Sequence, residues 1–291
     1  MLPALLAALA LAAPPDSLRQ LLEARIAKTP GAIVAVSVRD LGTGDSLDIN
    51  ADDSFHAAST MKVPVMIELL RQAEKGWISL DQGILLVNQF GSIVDGSPFS
   101  VDAGDDSDSL MYTRIGQRVP VRELLEHMIT RSSNLATNAL IAIVGAQRAN
   151  ATAHELGARN IKVLRGVEDQ KAFDVGLSNS TTSRDLATLM LAIETSRAAS
   201  RPSCDAMRRI LLNQEFNDEI PAGVPAGTLV AHKTGWITGV LHDAAIVYPR
   251  ARAAYVLVVL TRNIPDEKVA RSLIVDISRL VYEGLTRPPK R

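Results

Sequence analysis

Apolar residues in "DSLRQLLEARIAKTPG" recur three and four positions apart, so Leu18, Leu21, Leu22 and Ile26 share one helical face between an Asp-Ser start and a Pro-Gly stop. The next run, "AIVAVSVRD", is β-branched and nearly unbroken, which predicts a buried strand; "LGTGD" then turns the chain into a hairpin partner, "SLDIN". In "FHAASTMKVPVMIELLRQAEKG" the residues Val63, Val65, Met66, Ile67, Leu69 and Leu70 are too many for one stripe, so this helix is predicted to be core until it ends near Gly76. Residues 84–120 lose periodicity in clusters of Gly, Asp and Ser. Helical spacing returns in "VRELLEHMITR", "NLATNALIAIVGA" and "ANATAHELGA". After a loop it reappears in "TTSRDLATLMLAIETS", whose Thr/Ser-then-Asp opening marks a helix start. Beyond "DAMRRILLNQ" come the strands "GTLVAHKTG", "DAAIVYP" and "AAYVLVVLT", and last an amphipathic helix, "DEKVARSLIVDISRLVYEGL". A sheet layer built from both ends of the chain, about 16–58 and 205–291, enclosing a helical subdomain of about 59–204, is the economical architecture.

Composition narrows the function classes. At 291 residues, with 47% hydrophobic and 22% charged, the chain has the balance of a globular protein with ample material for a core. A formal net charge of −1 without a basic block argues against nucleic acid as a partner. The lone Cys204 excludes an intrachain disulfide and reads as a small buried side chain. The apolar start "MLPALLAALALAAPPDS" is too short to span a bilayer and offers small-x-small steps before Pro14-Pro15. Residues 1–13 are therefore expected to be an export signal, although no Lys or Arg precedes the apolar run. That points to a periplasmic or secreted protein without a stable membrane anchor; separately, a monomer is expected.

The core helix poses the chemical question, because it begins with a serine and a lysine three residues apart, Ser59 and Lys62. A lysine seldom sits in a core unpaired. The bland account is that Ser59 or Thr60 caps the helix while Lys62 reaches water. The chemical account is that both lie on one face, where a lysine held among cations and apolar walls loses its proton near neutral pH and activates the hydroxyl. A helix N-terminus would also offer backbone N–H groups to a developing oxyanion. Two later motifs favour the second account: Ser132 and Asn134 in "TRSSNLATN", at a junction of helices, and Lys233, Thr234 and Gly235 in "AHKTGW", at a strand end. The five histidines show no compact ligand spacing, so no metal is expected. For His232 and His242-Asp243 a supporting hydrogen-bonding role is favoured over metal ligation. The acidic run Asp102–Asp108 lacks the spacing of a calcium loop and reads as a solvated loop.

Ser-x-x-Lys, Ser-x-Asn and Lys-Thr-Gly, in this order and on these elements, resemble the class A β-lactamases and penicillin-binding proteins. The resemblance runs from about Asp16 to the C-terminal helix. It implies an α/β (α+β) fold of β-lactamase/transpeptidase type, in which an antiparallel sheet is flanked by N- and C-terminal helices and joined to an all-helical subdomain. It further implies a serine hydrolase that opens the amide of β-lactams through an acyl-enzyme, with no cofactor. Ser59 would be the nucleophile, Lys62 its base or relay, and Ser132 the shuttle of a proton to the leaving nitrogen. Asn134 would bind the substrate amide, Lys233 and Thr234 the substrate carboxylate, and the N–H of Trp236, just past Gly235, would complete the oxyanion site.

The chain departs from this family in places. Ser133 stands where class A enzymes have aspartate, a change expected to alter helix packing more than chemistry. Glu168 lies 36 residues after Ser132 and fits the deacylating base, yet Ala172 stands four residues later, where the family keeps an asparagine. Asp169 is an adjacent candidate, Gln170 an alternative for positioning water, and a structural pairing of Glu168 with Arg165 would remove it from the chemistry. The strand after Lys-Thr-Gly carries Asp243 and no arginine to clamp a carboxylate. These departures leave a D-alanyl-D-alanine peptidase acting on peptidoglycan stem peptides as the runner-up, with a noncatalytic cell-wall binding module behind it.

Overall fold

The structure, a computed structural model, describes residues 15–286; the expected signal segment, 1–13, lies outside them. Five strands form one antiparallel sheet: β1 (Ile33–Asp40), β2 (Ser46–Ile49), β3 (Leu229–Ile237), β4 (Val240–Tyr248) and β5 (Tyr255–Arg262), in the order β2-β1-β5-β4-β3. Strands from early and late in the described chain thus meet in one layer. The alternation of side chains sorts the core into two. Val34, Val36 and Val38 of β1 and Leu257 and Val259 of β5 pack with Leu22 of α1 (Pro15–Ala27) and Leu273 and Ile274 of the C-terminal helix (Glu267–Thr286). Ala35, Val256, Val258 and Leu260 face the other way, toward the helical middle of the chain.

That middle consists of α2 (Lys62–Glu74), α3 (Val121–Thr130), α4 (Asn134–Val144), α5 (Ala146–Glu155), α6 (Ser183–Glu194) and α7 (Arg201–Leu212), and the helix Glu267–Thr286 is accordingly α8. Every residue of α2 from Lys62 to Leu70 is buried, as the all-round apolar pattern requires. Its buried carboxylate, Glu68, is satisfied by Gln72 at 2.7 Å and Thr152 at 2.6 Å. Cys204 is buried in the same core. Among the described residues no helix is long and apolar enough to cross a membrane.

The irregular stretch is more ordered than its sequence suggests. Gly83–Leu85 pairs with Arg118–Pro120, and Phe90–Gly91 with Pro98–Phe99. Its acidic run is not a solvated loop throughout, because Asp106 and Asp108 are buried. Asp108 accepts a bond from the His127 ring at 2.6 Å, and Asp106 meets the start of α4. Burying a carboxylate costs several kcal/mol unless donors compensate, and here the helices supply them.

Candidate active site

Ser59 sits in a 3-10 turn, Ala58–Met61, that runs into α2 rather than in α2 itself. At about three residues per turn, positions i and i+3 share one side, so Ser59 and Lys62 lie one turn apart on the same side of the segment. The turn is entered through Ala58 at φ +44°, and two more site residues, Ser132 (φ +57°) and Glu168 (φ +62°), also lie in the left-handed region. Such conformations cost a non-glycine residue about 1–2 kcal/mol. Half of the six non-glycine residues with positive φ among the described residues therefore gather around one cleft, a concentration of strain typical of functional sites.

Lys62 is wholly buried and does not reach water. Its Nζ donates to the Ser132 carbonyl at 2.5 Å, Ser132 Oγ at 3.2 Å and Asn134 Oδ1 at 3.0 Å. Burial pulls its pKa down to about 7, against the opposing attraction of Asp106 and Glu168. Lys233, on β3, is equally buried and donates to Ser132 Oγ at 3.0 Å and to the Thr234 carbonyl at 2.9 Å. Burial, then repulsion from Lys62, holds its proton affinity well below that of an ordinary lysine. Ser132 Oγ thus accepts from two lysines and bridges the helical side of the cleft to the sheet.

Gly235 explains how β3 approaches Ser59. A Cβ built there would lie 3.1 Å from Thr60 Cγ2, 3.2 Å from Ala58 Cβ and 3.2 Å from the Ser59 backbone nitrogen. A side chain there would need its neighbours to give by a few tenths of an ångström, so glycine lets the strand lie this close to the turn, and Trp236 follows it, half-exposed on the cleft rim. Behind Lys233, the buried His232 ring holds Asp243 at 3.0 Å and Asn217 at 3.2 Å. His242 is bonded to the His56 carbonyl at 2.9 Å, and burial lowers its pKa to about 4. Both histidines hold β3 and β4 in place, as their sequence positions suggest.

Glu168 reaches the cleft with both oxygens engaged: Asn134 Nδ2 donates to Oε1 at 2.7 Å and the Asp102 backbone N–H to Oε2 at 2.8 Å. Burial raises its pKa, and the nearby Asp106 and Asp105 add to that rise against those two bonds. It makes no ion pair with Arg165, whose guanidinium bonds the carbonyls of Leu177 and Gly166. Asp169 faces elsewhere. It caps the short helix Gln170–Asp174 through Ala172 N–H at 3.1 Å, and it accepts from Ser92 Oγ at 2.8 Å and Ile93 N–H at 2.9 Å. Although burial pushes its pKa up, these bonds outweigh it and hold the carboxyl below its ordinary value. Gln170 is spent on Asp174 at 2.6 Å.

Two lobes of the cleft meet at Ser59, Asn134 and Trp236. One, of about 230 Å³, is lined by Glu168, Phe173 and Ile237. The other, of about 440 Å³, is lined by Ser132, Thr234, Glu219 and Arg271. The sequence motifs missed three contributors. Asp106 and the Asp102 N–H come from the irregular segment, and Arg271 comes from α8, where it bonds Glu219 at 3.1 Å and Glu267 at 2.5 Å. The density of acids in Asp102–Asp108 was the one signal for the irregular segment, and it carried no periodicity.

Ser59 one turn before a buried lysine, and a second serine, Ser132, bonded both to that lysine and to Lys233 at a strand end, bring the residues of the three motifs around one cleft. The sequence profile of the beta-lactamase enzyme family matches residues 17–285. The chain belongs to that family. It is 28% identical over 267 residues to beta-lactamase AST-1 of Nocardia asteroides, covering 90% of this chain and 82% of that one. Among solved structures, a beta-lactamase from Sphaerobacter thermophilus superposes with TM-score 0.79 at 30% identity, over 92% of this chain and 98% of the other. PBP-A superposes with TM-score 0.78 at 28% identity, over 92% and 95%, and a mutant of it is an acyl-enzyme complex with penicillin-G. The family's antiparallel sheet and helical surround are those described above.

Proposed function

We propose that this protein is a serine β-lactamase that hydrolyses the β-lactam amide through an acyl-enzyme on Ser59. The observation that carries the reading is the complete burial of Lys62 one turn after Ser59, its Nζ bonded to Ser132 and Asn134 and its pKa lowered by burial to about 7. Neutral Lys62 accepts the hydroxyl proton as Ser59 attacks the carbonyl carbon. The backbone N–H groups of Ser59 and Trp236 receive the oxyanion. As the C–N bond breaks, the proton passes from Lys62 through Ser132 to the leaving nitrogen. Thr234 and Lys233 take the substrate carboxylate, with Arg271 on the same wall of the larger lobe. Asn134 orients the substrate amide. Glu168 then draws a proton from water as its oxygen attacks the ester carbonyl carbon, and the C–O bond to Ser59 breaks as that proton is returned to Ser59 Oγ.

The cleft lies between the sheet layer (16–58 and 205–291) and the helical subdomain (59–204), which together make one catalytic domain, 16–291. The N-terminal apolar run supports a periplasmic or secreted location. The alternative, a D-alanyl-D-alanine peptidase of the same fold, is favoured by one observation: Ala172 stands where the family positions its hydrolytic water with asparagine. A chromogenic cephalosporin separates the two, since sustained turnover means a β-lactamase and a single burst means a peptidase. Intact-mass and peptide mapping after addition of a penicillin should place one adduct on Ser59. An adduct surviving in Ser59→Ala would overturn the assignment.

A further inference from the structure

We propose that Asp106 is a positioning residue of the acylation step: its carboxylate, delivered by the irregular segment, locks the Ser132–Asn134 turn against Lys62 and supplies the charge that the capping residue Ser133 lacks. The inference rests on the acylation chemistry proposed above.

Asp106 is only 7% exposed. Its Oδ2 accepts from the backbone N–H groups of Asn134 at 2.8 Å and Leu135 at 3.0 Å, from the Tyr112 hydroxyl at 3.0 Å and from Ser133 Oγ at 3.5 Å. The two N–H groups belong to the first turn of α4, where no carboxylate of the helix itself is present. Such N–H groups have no partner inside their own helix, and the positive end of the helix dipole favours an anion there. Ser133, the cap, is fully buried and spends its oxygen on Ala136 N–H at 3.2 Å.

The consequence reaches the reacting atoms. Each acceptor that Lys62 Nζ bonds, the Ser132 carbonyl, Ser132 Oγ and Asn134 Oδ1, belongs to the segment anchored by Asp106. Ser132 holds this position at φ +57°, a conformation that must be enforced by its surroundings. Asn134 in turn holds Glu168 Oε1. Charge acts alongside geometry. Lys62 is faced by Asp106 and Glu168, which favour its ammonium, and by the Lys233 ammonium, while Asp106 also faces Glu168 and Tyr112.

Three variants test the assignment: Asp106→Asn, Asp106→Ala and the double change Asp106→Ala with Ser133→Asp. Acylation is timed by stopped flow with a chromogenic cephalosporin across pH. Asp106→Ala should acylate roughly ten- to hundredfold more slowly, the scale of losing charged hydrogen bonds to buried donors. The added carboxylate at 133 should restore at least roughly tenfold of that loss, on the same scale. Asp106→Asn keeps the shape and an acceptor, but removing the anion should move the acid limb of the acylation profile to lower pH. A ¹³C-lysine NMR titration should show Lys62 losing its proton at lower pH in that variant, with no substrate present. A merely structural Asp106 would lower the amplitude without moving the limb. Unchanged acylation and titration in Asp106→Asn, or a folded double variant no faster than Asp106→Ala, would overturn the proposal. If Asp106→Ala does not fold, the Asn variant and its titration decide. A parent that never acylates would refute the functional reading instead, and the titration would still judge Asp106.

Discussion

Replacing Glu168 by glutamine should separate the two halves of the reaction. The substitution retains size but cannot accept a proton, and it also mismatches the donors around it. Asn134 Nδ2 and the Asp102 N–H both point at carboxylate oxygens, at 2.7 and 2.8 Å, whereas a glutamine offers one oxygen and one NH₂. One donor is then left facing another, which costs about 1–3 kcal/mol. Loss of the general base typically costs ~10²–10⁴ in rate, and that falls on deacylation alone. Acylation is spared because Glu168 favours the ammonium form of Lys62, so its removal leaves more neutral lysine at a given pH. Stopped-flow absorbance should therefore show a burst of near-parental rate followed by slow turnover, and intact-mass spectrometry should find Ser59 acylated in the steady state. Asp169→Asn is the control. Its carboxylate is held by Ser92, Ile93 and Ala172, so the change should lower thermal stability by a few degrees, as about 1–2 kcal/mol does in a chain of this size, without trapping the adduct. Parental turnover in Glu168→Gln together with a trapped adduct in Asp169→Asn would refute the reasoning. If neither variant lengthens the acyl-enzyme lifetime, the loop supplies no base and the peptidase reading moves ahead.

Gly235→Ala should slow acylation, by less than the roughly 10²-fold that a full ångström of misplacement costs, because the new methyl would push Ala58, Thr60 or the Ser59 nitrogen back by a few tenths of an ångström; unchanged acylation kinetics would refute that contact. Lys233→Ala should lower kcat/KM by about 1.5–3 kcal/mol of transition-state stabilisation. Much of that loss should vanish for a substrate ester without the carboxylate, and equal losses on acid and ester would assign Lys233 another role. The pH profile of kcat/KM should have an acid limb near pH 7, since Lys62, with its pKa lowered to about 7, is a base only above that value and takes up a proton below it. Full activity maintained well below that pH would show that neutral Lys62 is not required.

The strands of the sheet and the central helix were legible from residue pattern alone. Alternation in β1 and β5 sorts side chains to two faces by geometry that holds in any sheet, and a helix apolar all round, such as α2, has no place but a core. The motif residues were legible for a related reason: Ser59 and Lys62, Ser132 and Asn134, and Lys233 to Trp236 each act as local units whose spacing survives folding. What tied these units together was not local. The Asp106 carboxylate meets Asn134 across 28 residues and the Asp102 N–H meets Glu168 across 66, from a segment without periodicity. Its buried acids therefore looked like solvated ones. Arg271 was hidden because its helical spacing says which face it occupies but not which cleft that face lines. The adjacent carboxylates Glu168 and Asp169 were equivalent on paper, and only tertiary structure assigned one to the cleft and the other to a cap. Periodicity reports how a segment meets a core, whereas the direction of a loop carboxylate depends on donors brought to it from distant parts of the chain.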